Sequence, residues 1–178
     1  MDSSALSPWA ATVRSLLVRD LEALAREVRA YPDDATPWAL PTGVPNSAGT
    51  LVQHCCGGLR HFVGAVLGET GYVRTRDREF SDRDAPREAL LALIATTREE
   101  VDRTLAAVDD ARLHAPYPIE VAHGSALTGP WLTHLVSHVA YHLGQVDYHR
   151  RLVTGDGTGV DAVNGRAVAT WRALEEAK

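Results

Sequence analysis

The chain has 178 residues, of which 45% are hydrophobic and 23% are charged, and its formal net charge is −5. A chain of this length and hydrophobicity can bury one core, so we expect a single domain over residues 1–178 and exclude a disordered chain. The acidic balance offers no basic surface to nucleic acid or to an anionic membrane, and no run of about 18 apolar residues predicts a membrane span. We therefore predict a cytoplasmic protein that contacts neither nucleic acid nor membrane.

The first helix is predicted from apolar residues that recur every three or four positions. Ser7 and Pro8 form an N-cap and first-turn pair, and the pattern ends near Tyr31 and Pro32. The stretch that follows, residues 32–47, is rich in proline and turn-forming residues and is predicted as a loop.

A second helix is predicted to begin at Asn46 or Ser47, either of which can act as an N-cap. The face that we expect to be buried carries Leu51, His54, Cys55, Gly58, His61, Phe62, Ala65 and Val66. Cys55 and the adjacent Cys56 would point about 100° apart on a helix, so a disulfide between them is geometrically poor. They are predicted to be small buried residues in a reducing compartment.

Two further long helices follow, each after a connection that is predicted to be a loop. Residues 68–83 form the first connection, and Asp84 is predicted to cap a third helix over residues 86–108. Residues 110–127 form the second connection. Thr128 is predicted to cap a fourth helix, with Pro130 in its first turn, and this helix runs to about Val153.

No segment alternates between polar and apolar residues as a strand would. The sequence predicts an all-α fold, a four-helix bundle of the up-and-down or crossover type, with a short extra C-terminal helix over roughly Asp161–Ala177.

The fourth helix carries a stripe of histidines beside its apolar face. Trp131, His134, Leu135, His138, His142, Gln145 and His149 fall within a sector of roughly 100°. Imidazoles in or beside a core need hydrogen-bond partners, and each could find one in a loop carbonyl. Histidines four apart can instead converge on one metal ion, with a third ligand from another helix. Helix two offers His54 or His61 for that position, and on helix four the pairs 134/138 and 138/142 fit equally well.

Three segments, SAGTLVQHCCGGLRHF, RTRDREF and HLVSHVAYHLGQ, stand in an order and spacing that resemble the DinB/YfiT-like superfamily of bacterial metal-binding four-helix bundles. The likeness spans about residues 5–155, which would form the core of the domain. Members have one histidine near the start of helix two and a pair four apart on helix four, commonly followed by Gly-Gln. The resemblance implies that His54, His138 and His142 are the metal ligands, with Gln145 after the pair. One departure is Ser137, where relatives carry acidic residues.

The resemblance also implies chemistry, because three neutral imidazoles leave coordination positions open on a divalent ion. Zinc or nickel is expected first, with iron or manganese as alternatives. Imidazole suits zinc, nickel, iron and copper alike, so the ligand type does not choose among these four. We expect a metal-dependent hydrolase or a low-molecular-weight-thiol-dependent S-transferase that acts on a small molecule. His134, Gln145 and His149 can hold substrate, shuttle protons or orient the ligands by hydrogen bonds, and of these His134 and Gln145 are the candidates for catalysis. The resemblance favours a homodimer.

A second class of function fits the same residues: a metal-binding or stress-response scaffold without turnover. The charged run RTRDREF also has two interpretations. The charges of Arg74, Arg76 and Arg78 can pair with those of Asp77 and Glu79 in a solvated loop, or one of these arginines can lie over the metal site and receive an anionic substrate. The substitutions Arg76→Ala and Arg78→Ala test the second interpretation. Trp131 lies on the histidine face and is predicted to line the pocket.

Overall fold

The computed structural model describes residues 7–165, and within that range it contains helices and no β-strand, which confirms the predicted all-α class. The helices are α1 (Pro8–Arg29), α2 (Ala48–Leu59), α3 (Arg76–Ser81), α4 (Arg87–Leu105), α5 (Asp110–His114) and α6 (Thr128–Thr154). A π-helical segment, Arg60–Ala65, and a last turn, Val66–Gly68, continue α2, and a 3₁₀ turn spans Thr36–Trp38. None of the helices in residues 7–165 combines the length and apolarity that a membrane span requires.

The four long helices form a bundle of the crossover type. Helix α1 packs against α4 and α6, and α2 packs against the same two helices. The pairs α1/α2 and α4/α6 therefore lie across the two diagonals, so the chain crosses the bundle from α1 to α2 and from α4 to α6, whereas α2 and α4 are neighbours. This arrangement places the histidine face of α6 directly against α2.

The bundle core is apolar and continuous along its length. Its buried side chains from the four long helices include Val13, Leu17, Leu21, Leu24, Val28, Leu51, Val52, Leu59, Leu90, Ile94, Val101, Leu105, Leu132, Leu135, Val139, Leu143 and Val146. Two predicted helix starts are confirmed. The Ser7 hydroxyl accepts from the Ala10 amide at 3.4 Å, and the Ser47 hydroxyl accepts from the Thr50 amide at 3.2 Å.

Two predicted caps are wrong. Asp84 adopts a left-handed backbone (φ 65°) outside the helix, and Pro86 occupies the N-cap position of α4 with no side-chain hydrogen bond. Thr128 is the first residue of α6, after Leu127 at the N-cap. The Thr128 hydroxyl donates to the Ala115 carbonyl at 3.1 Å, so it joins the preceding segment to α6 and does not cap the helix.

Both predicted long loops contain a short helix. Helix α3 lies within residues 68–83, and α5 lies within residues 110–127, where Asp109 caps it by accepting from the Arg112 amide at 2.7 Å. Of the predicted C-terminal helix, residues 161–165 are not α-helical. The remainder of that predicted helix lies outside the described residues.

Candidate metal centre

Three histidines from α2 and α6 meet at the interface of these helices. Each of His54, His138 and His142 offers one ring nitrogen to a group whose members all lie within 4.8 Å of one another. The Nε2 atoms of His54 and His138 are 3.3 Å apart. Two nitrogens bound to one tetrahedral zinc ion at 2.0–2.1 Å would be about 3.3 Å apart, so the spacing suits a metal ion.

The packing of α2 against α6 explains why these side chains converge. The apolar side chains of Leu51 and Cys55 are buried on α2, as are those of Leu135 and Val139 on α6. Because histidines at positions 138 and 142 are four apart, they lie on one side of α6, and their ring centroids are 4.6 Å apart. The His54 ring lies 5.1 Å and 5.2 Å from the rings of this pair.

An ion pair between Glu79 and Arg74 orients the His54 ring at Nδ1, the nitrogen that does not face the other histidines. This Nδ1 donates to Glu79 Oε2 at 3.0 Å, and Arg74 binds the same carboxylate through Nε at 2.7 Å and Nη2 at 2.8 Å. Since an ionised carboxylate only accepts, Nδ1 carries the ring proton and Nε2 keeps its lone pair for the cluster. Burial acts to raise the pKa of Glu79, but the hydrogen bonds from Arg74 and His54 outweigh it and hold that pKa below its usual value.

His142 is oriented in the same way by an amide. Its Nδ1 donates to Gln145 Oε1 at 2.7 Å, which leaves Nε2 of His142 free to bind an ion. Burial lowers the pKa of His142, and the Gln145 hydrogen bond opposes this shift only in part. Burial, followed by the neighbouring His142 and His54, lowers the pKa of His138 to about 4. His138 and His142 are therefore held in the neutral form that binds metal.

The donor set fits a divalent ion with open positions. Three imidazoles supply three neutral ligands, and structural zinc sites are instead closed by four protein ligands. Cys55 is buried next to His54, but burial raises the pKa of its thiol well above the usual value, so it is a protonated core residue. The predicted burial of Cys55 and Cys56 as free thiols is confirmed.

A cavity of about 130 Å³ adjoins the cluster on the side toward the start of α6. It is lined by His54, Cys55, Gly58, Leu59, Phe62, Arg74, Trp131, His134, Leu135 and His138. Its volume is below the roughly 300 Å³ at which ligand pockets typically begin, so it suits the reacting end of a substrate better than a whole molecule. We call it the Trp131 pocket; the predicted position of Trp131 in its wall is confirmed.

The two candidate catalytic residues occupy different places. His134 lies outside the three-histidine group, and its exposed ring stacks on Trp131 with centroids 4.9 Å apart, inside the Trp131 pocket. Gln145 is also exposed and bonds His142. His134 can therefore meet a substrate, and Gln145 orients a predicted ligand.

His61 and His149, which share the predicted buried faces, do not join the cluster. His61 lies in the π-helical segment that begins at Arg60, and its ring packs on Phe62 with centroids 4.8 Å apart. Buried His149 uses both ring nitrogens elsewhere. Nε2 donates to the Ala39 carbonyl at 2.8 Å, and Nδ1 accepts from the Tyr31 hydroxyl at 2.7 Å.

The charged run RTRDREF contributes Arg74 and Glu79 to the site. Arg74 lines the Trp131 pocket, whereas Arg76 and Arg78 are exposed on α3 and do not line it. Of the three arginines in the run, Arg74 is the one that lies beside the histidine cluster, whereas Arg78 pairs with Asp82 at 3.2 Å and Arg76 stacks on Phe80.

Glu79 is the functional residue that the sequence reasoning missed. The only signal for it is its place in RTRDREF, where the predicted pairing of charges is confirmed by the Arg74–Glu79 ion pair. Helix α3 also places Phe80 against the His54 ring, with centroids 5.0 Å apart. The short helix thus contacts His54 through both Glu79 and Phe80.

Comparison with models of known protein families identifies the family of this chain. The model of the family described as MST: Mycothiol-S-transferase matches residues 12–155. The match covers most of the chain and confirms the DinB-like resemblance of the sequence. No curated protein and no solved structure matches.

Proposed function

Because the chain belongs to the mycothiol-S-transferase family, we propose that it is a divalent-metal-dependent S-transferase. Its cosubstrate is a low-molecular-weight thiol, which the family description specifies as mycothiol, and its second substrate is a small electrophile. The observation that carries the proposal is the convergence of His54, His138 and His142 beside a cavity. The three imidazoles suit an ion with open positions.

The transfer joins sulfur to carbon. The thiol sulfur forms a bond to an electrophilic carbon, the leaving group departs with the electron pair of its own bond to that carbon, and the thiol proton passes to a base. Zinc or nickel held by the three histidines would supply a positive charge that favours the thiolate form of the thiol. His134, exposed in the Trp131 pocket, is our candidate to receive the thiol proton.

The remaining residues of the site orient the predicted metal ligands or line the Trp131 pocket. Glu79 and Gln145 fix the ring orientation of His54 and His142, so that each presents Nε2. The aromatic rings of Phe62 and Trp131 pack edge to face at 5.1 Å and exclude water from one side of the Trp131 pocket. These groups would keep a thiol and an electrophile in contact without hydrolysis of the electrophile.

The decisive experiment measures conjugation of mycothiol to monobromobimane by the zinc- or nickel-loaded protein. We expect turnover with mycothiol to exceed turnover with cysteine, and to disappear after the metal is removed or in His138→Ala. His123→Ala, an exposed loop residue outside the cluster, is the matched control and should retain full activity. Metal-loaded protein that cleaves esters but conjugates no thiol would support the hydrolase alternative. Metal-loaded protein that does neither would support the non-catalytic scaffold.

The native metal, the homodimer and the cytoplasmic location stay predictions. The two free cysteines, both buried, agree with a reducing compartment. Metal analysis of protein purified without added metal, together with sedimentation, would test the first two.

A further inference from the structure

A second cavity, of about 350 Å³, lies on the other side of the histidine cluster, toward the end of α6. One wall is the loop before α2, with Val44 and Pro45, and the other is α6, with Gln145, Tyr148 and Leu152. We call it the Gln145 cavity. Its volume lies within the range of small-molecule sites, unlike that of the Trp131 pocket.

The walls of the Gln145 cavity are mainly apolar. Tyr148 is 76% exposed and Leu152 is 62% exposed, so two large apolar side chains stand at its rim in contact with water. His149 also lines the cavity, but its two ring nitrogens already bond Tyr31 and Ala39, so it offers only ring surface. A cleft of this kind gains free energy by taking an apolar group out of water.

Gln145 connects the Gln145 cavity to the predicted metal ligands, because it lines the cavity and bonds His142. Gln145 uses its Oε1 to accept from His142, which leaves its amide NH₂ available as a donor. Leu51, another lining residue, lies one turn before His54 on α2. The cluster thus lies between a narrow pocket with Arg74 and His134 and a wider apolar cavity.

We propose that the Gln145 cavity binds the apolar part of the electrophilic acceptor, an uncharged alkyl or aryl group, with its reactive carbon directed toward the histidine cluster. The inference rests on the proposed function, since it assigns one of the two substrates of that reaction. A small molecule suits the cavity better than a protein partner does. Nine residues line it, whereas a stable protein interface uses about 20–30 residues on each side.

A binding experiment tests the cavity without turnover. The probe is N-phenyl-1-naphthylamine, an uncharged dye whose fluorescence rises in apolar sites, titrated into the metal-loaded protein. We expect Leu152→Ser to raise its Kd about tenfold. Leu127→Ser is the matched control, because Leu127 is also exposed (46%) beside α6 but lies at its opposite end, outside the cavity. Equal probe affinity in wild type and Leu152→Ser would overturn the inference.

A kinetic experiment tests the assignment to the acceptor. With mycothiol as the thiol, we expect Leu152→Ser to raise the KM for 1-bromohexane about tenfold. The KM for iodoacetamide, which has no alkyl chain, and the KM for mycothiol should not change. A rise in the KM for mycothiol alone would assign the cavity to the thiol and overturn the inference. A change from dimer to monomer in Leu152→Ser, with unchanged probe affinity, would also overturn the inference. The face that carries Leu152 would then be a subunit interface.

The two proposals fail separately. If the wild-type protein conjugates no thiol, the proposed S-transferase function is wrong. Displacement of the bound dye by 1-bromohexane then still decides whether the cavity binds an alkyl acceptor. If conjugation occurs and Leu152→Ser behaves as Leu127→Ser does in both experiments, the function stands and the acceptor site lies elsewhere.

Discussion

The Nε2 atoms of His54 and His138 lie 3.3 Å apart, although the residues are 84 positions apart in the chain. Two neutral imidazoles gain little from such an approach unless a proton or a cation lies between them. The pKa of His138, lowered to about 4 by burial and then by its histidine neighbours, makes a shared proton unfavourable near neutral pH. A metal ion is the partner that this geometry favours.

The first prediction ranks the histidines. His54→Ala, His138→Ala or His142→Ala leaves two ligands, so tight zinc binding should be lost in each. His134→Ala should weaken binding by at most about 10- to 100-fold, as changes next to the ligands do. Competition titration against a chromophoric chelator measures this ranking. If His142→Ala kept wild-type affinity and His134→Ala lost it, the ligand pair would be His134 and His138, one turn earlier on α6.

The second prediction concerns the space behind His54. A Cβ atom on Gly57 would lie 2.1 Å from Glu79 Oε1, so Gly57→Ala must displace the carboxylate that orients His54. We expect zinc affinity to fall about 10- to 100-fold. Gly144→Ala is the control, because its Cβ would meet nothing within 4 Å on the exposed side of α6. That variant should keep its affinity and gain about 0.4–1 kcal/mol of stability.

Thermal unfolding and zinc titration of both glycine variants give the comparison. Equal zinc affinity in Gly57→Ala and Gly144→Ala would show that Glu79 does not control His54.

The third prediction concerns the pH dependence of metal binding. Protonated imidazole cannot bind a cation, so affinity must fall with pH. Because the pKa of His138 is about 4, this ligand should begin to lose affinity only near that pH and not near 6.5, the usual pKa of histidine. If all three histidines bound protons between about pH 5 and 6, zinc affinity would fall by three tenfold steps per pH unit. We expect a smaller fall in that range. A full third-power dependence in that range would contradict the lowered pKa.

The four long helices and the histidine pairs could be predicted from the sequence, but the residues that surround the histidines could not. Helical periodicity predicts the four long helices, and the four-residue spacing places His138 beside His142. Spacing alone leaves the pair 134/138 equally possible, and only the packing of α2 against α6 brings His54 to the second pair. Glu79 could not be assigned, because its contact with His54 depends on how the chain folds back after α2.

The ends of the helices show a second limit of the sequence. A residue with a good capping side chain caps only if its backbone is extended at the helix start, and Asp84 is instead left-handed, with φ 65°. Short helices such as α3 contain too few residues for periodicity to reveal them. Helix caps and short helices depend on tertiary contacts. One of these short helices, α3, carries Glu79, which is why Glu79 was missed.

The last prediction concerns stability and His149, which is 4% exposed. Its Nε2 proton is donated to the Ala39 carbonyl, so Nδ1 must accept from Tyr31, and a second ring proton would break that bond. Burial lowers the pKa of His149 in the folded protein, whereas the unfolded chain takes up the proton near pH 6.5. The unfolded state then binds more protons, so this contribution is complete above about pH 6.5 and is lost as pH falls through the folded-state pKa. Urea unfolding of the metal-free protein at several pH values should show a shallower pH dependence in His149→Gln than in wild type, and an unchanged one in His123→Gln. A His149→Gln protein with the wild-type pH dependence would show that His149 is not the group that titrates.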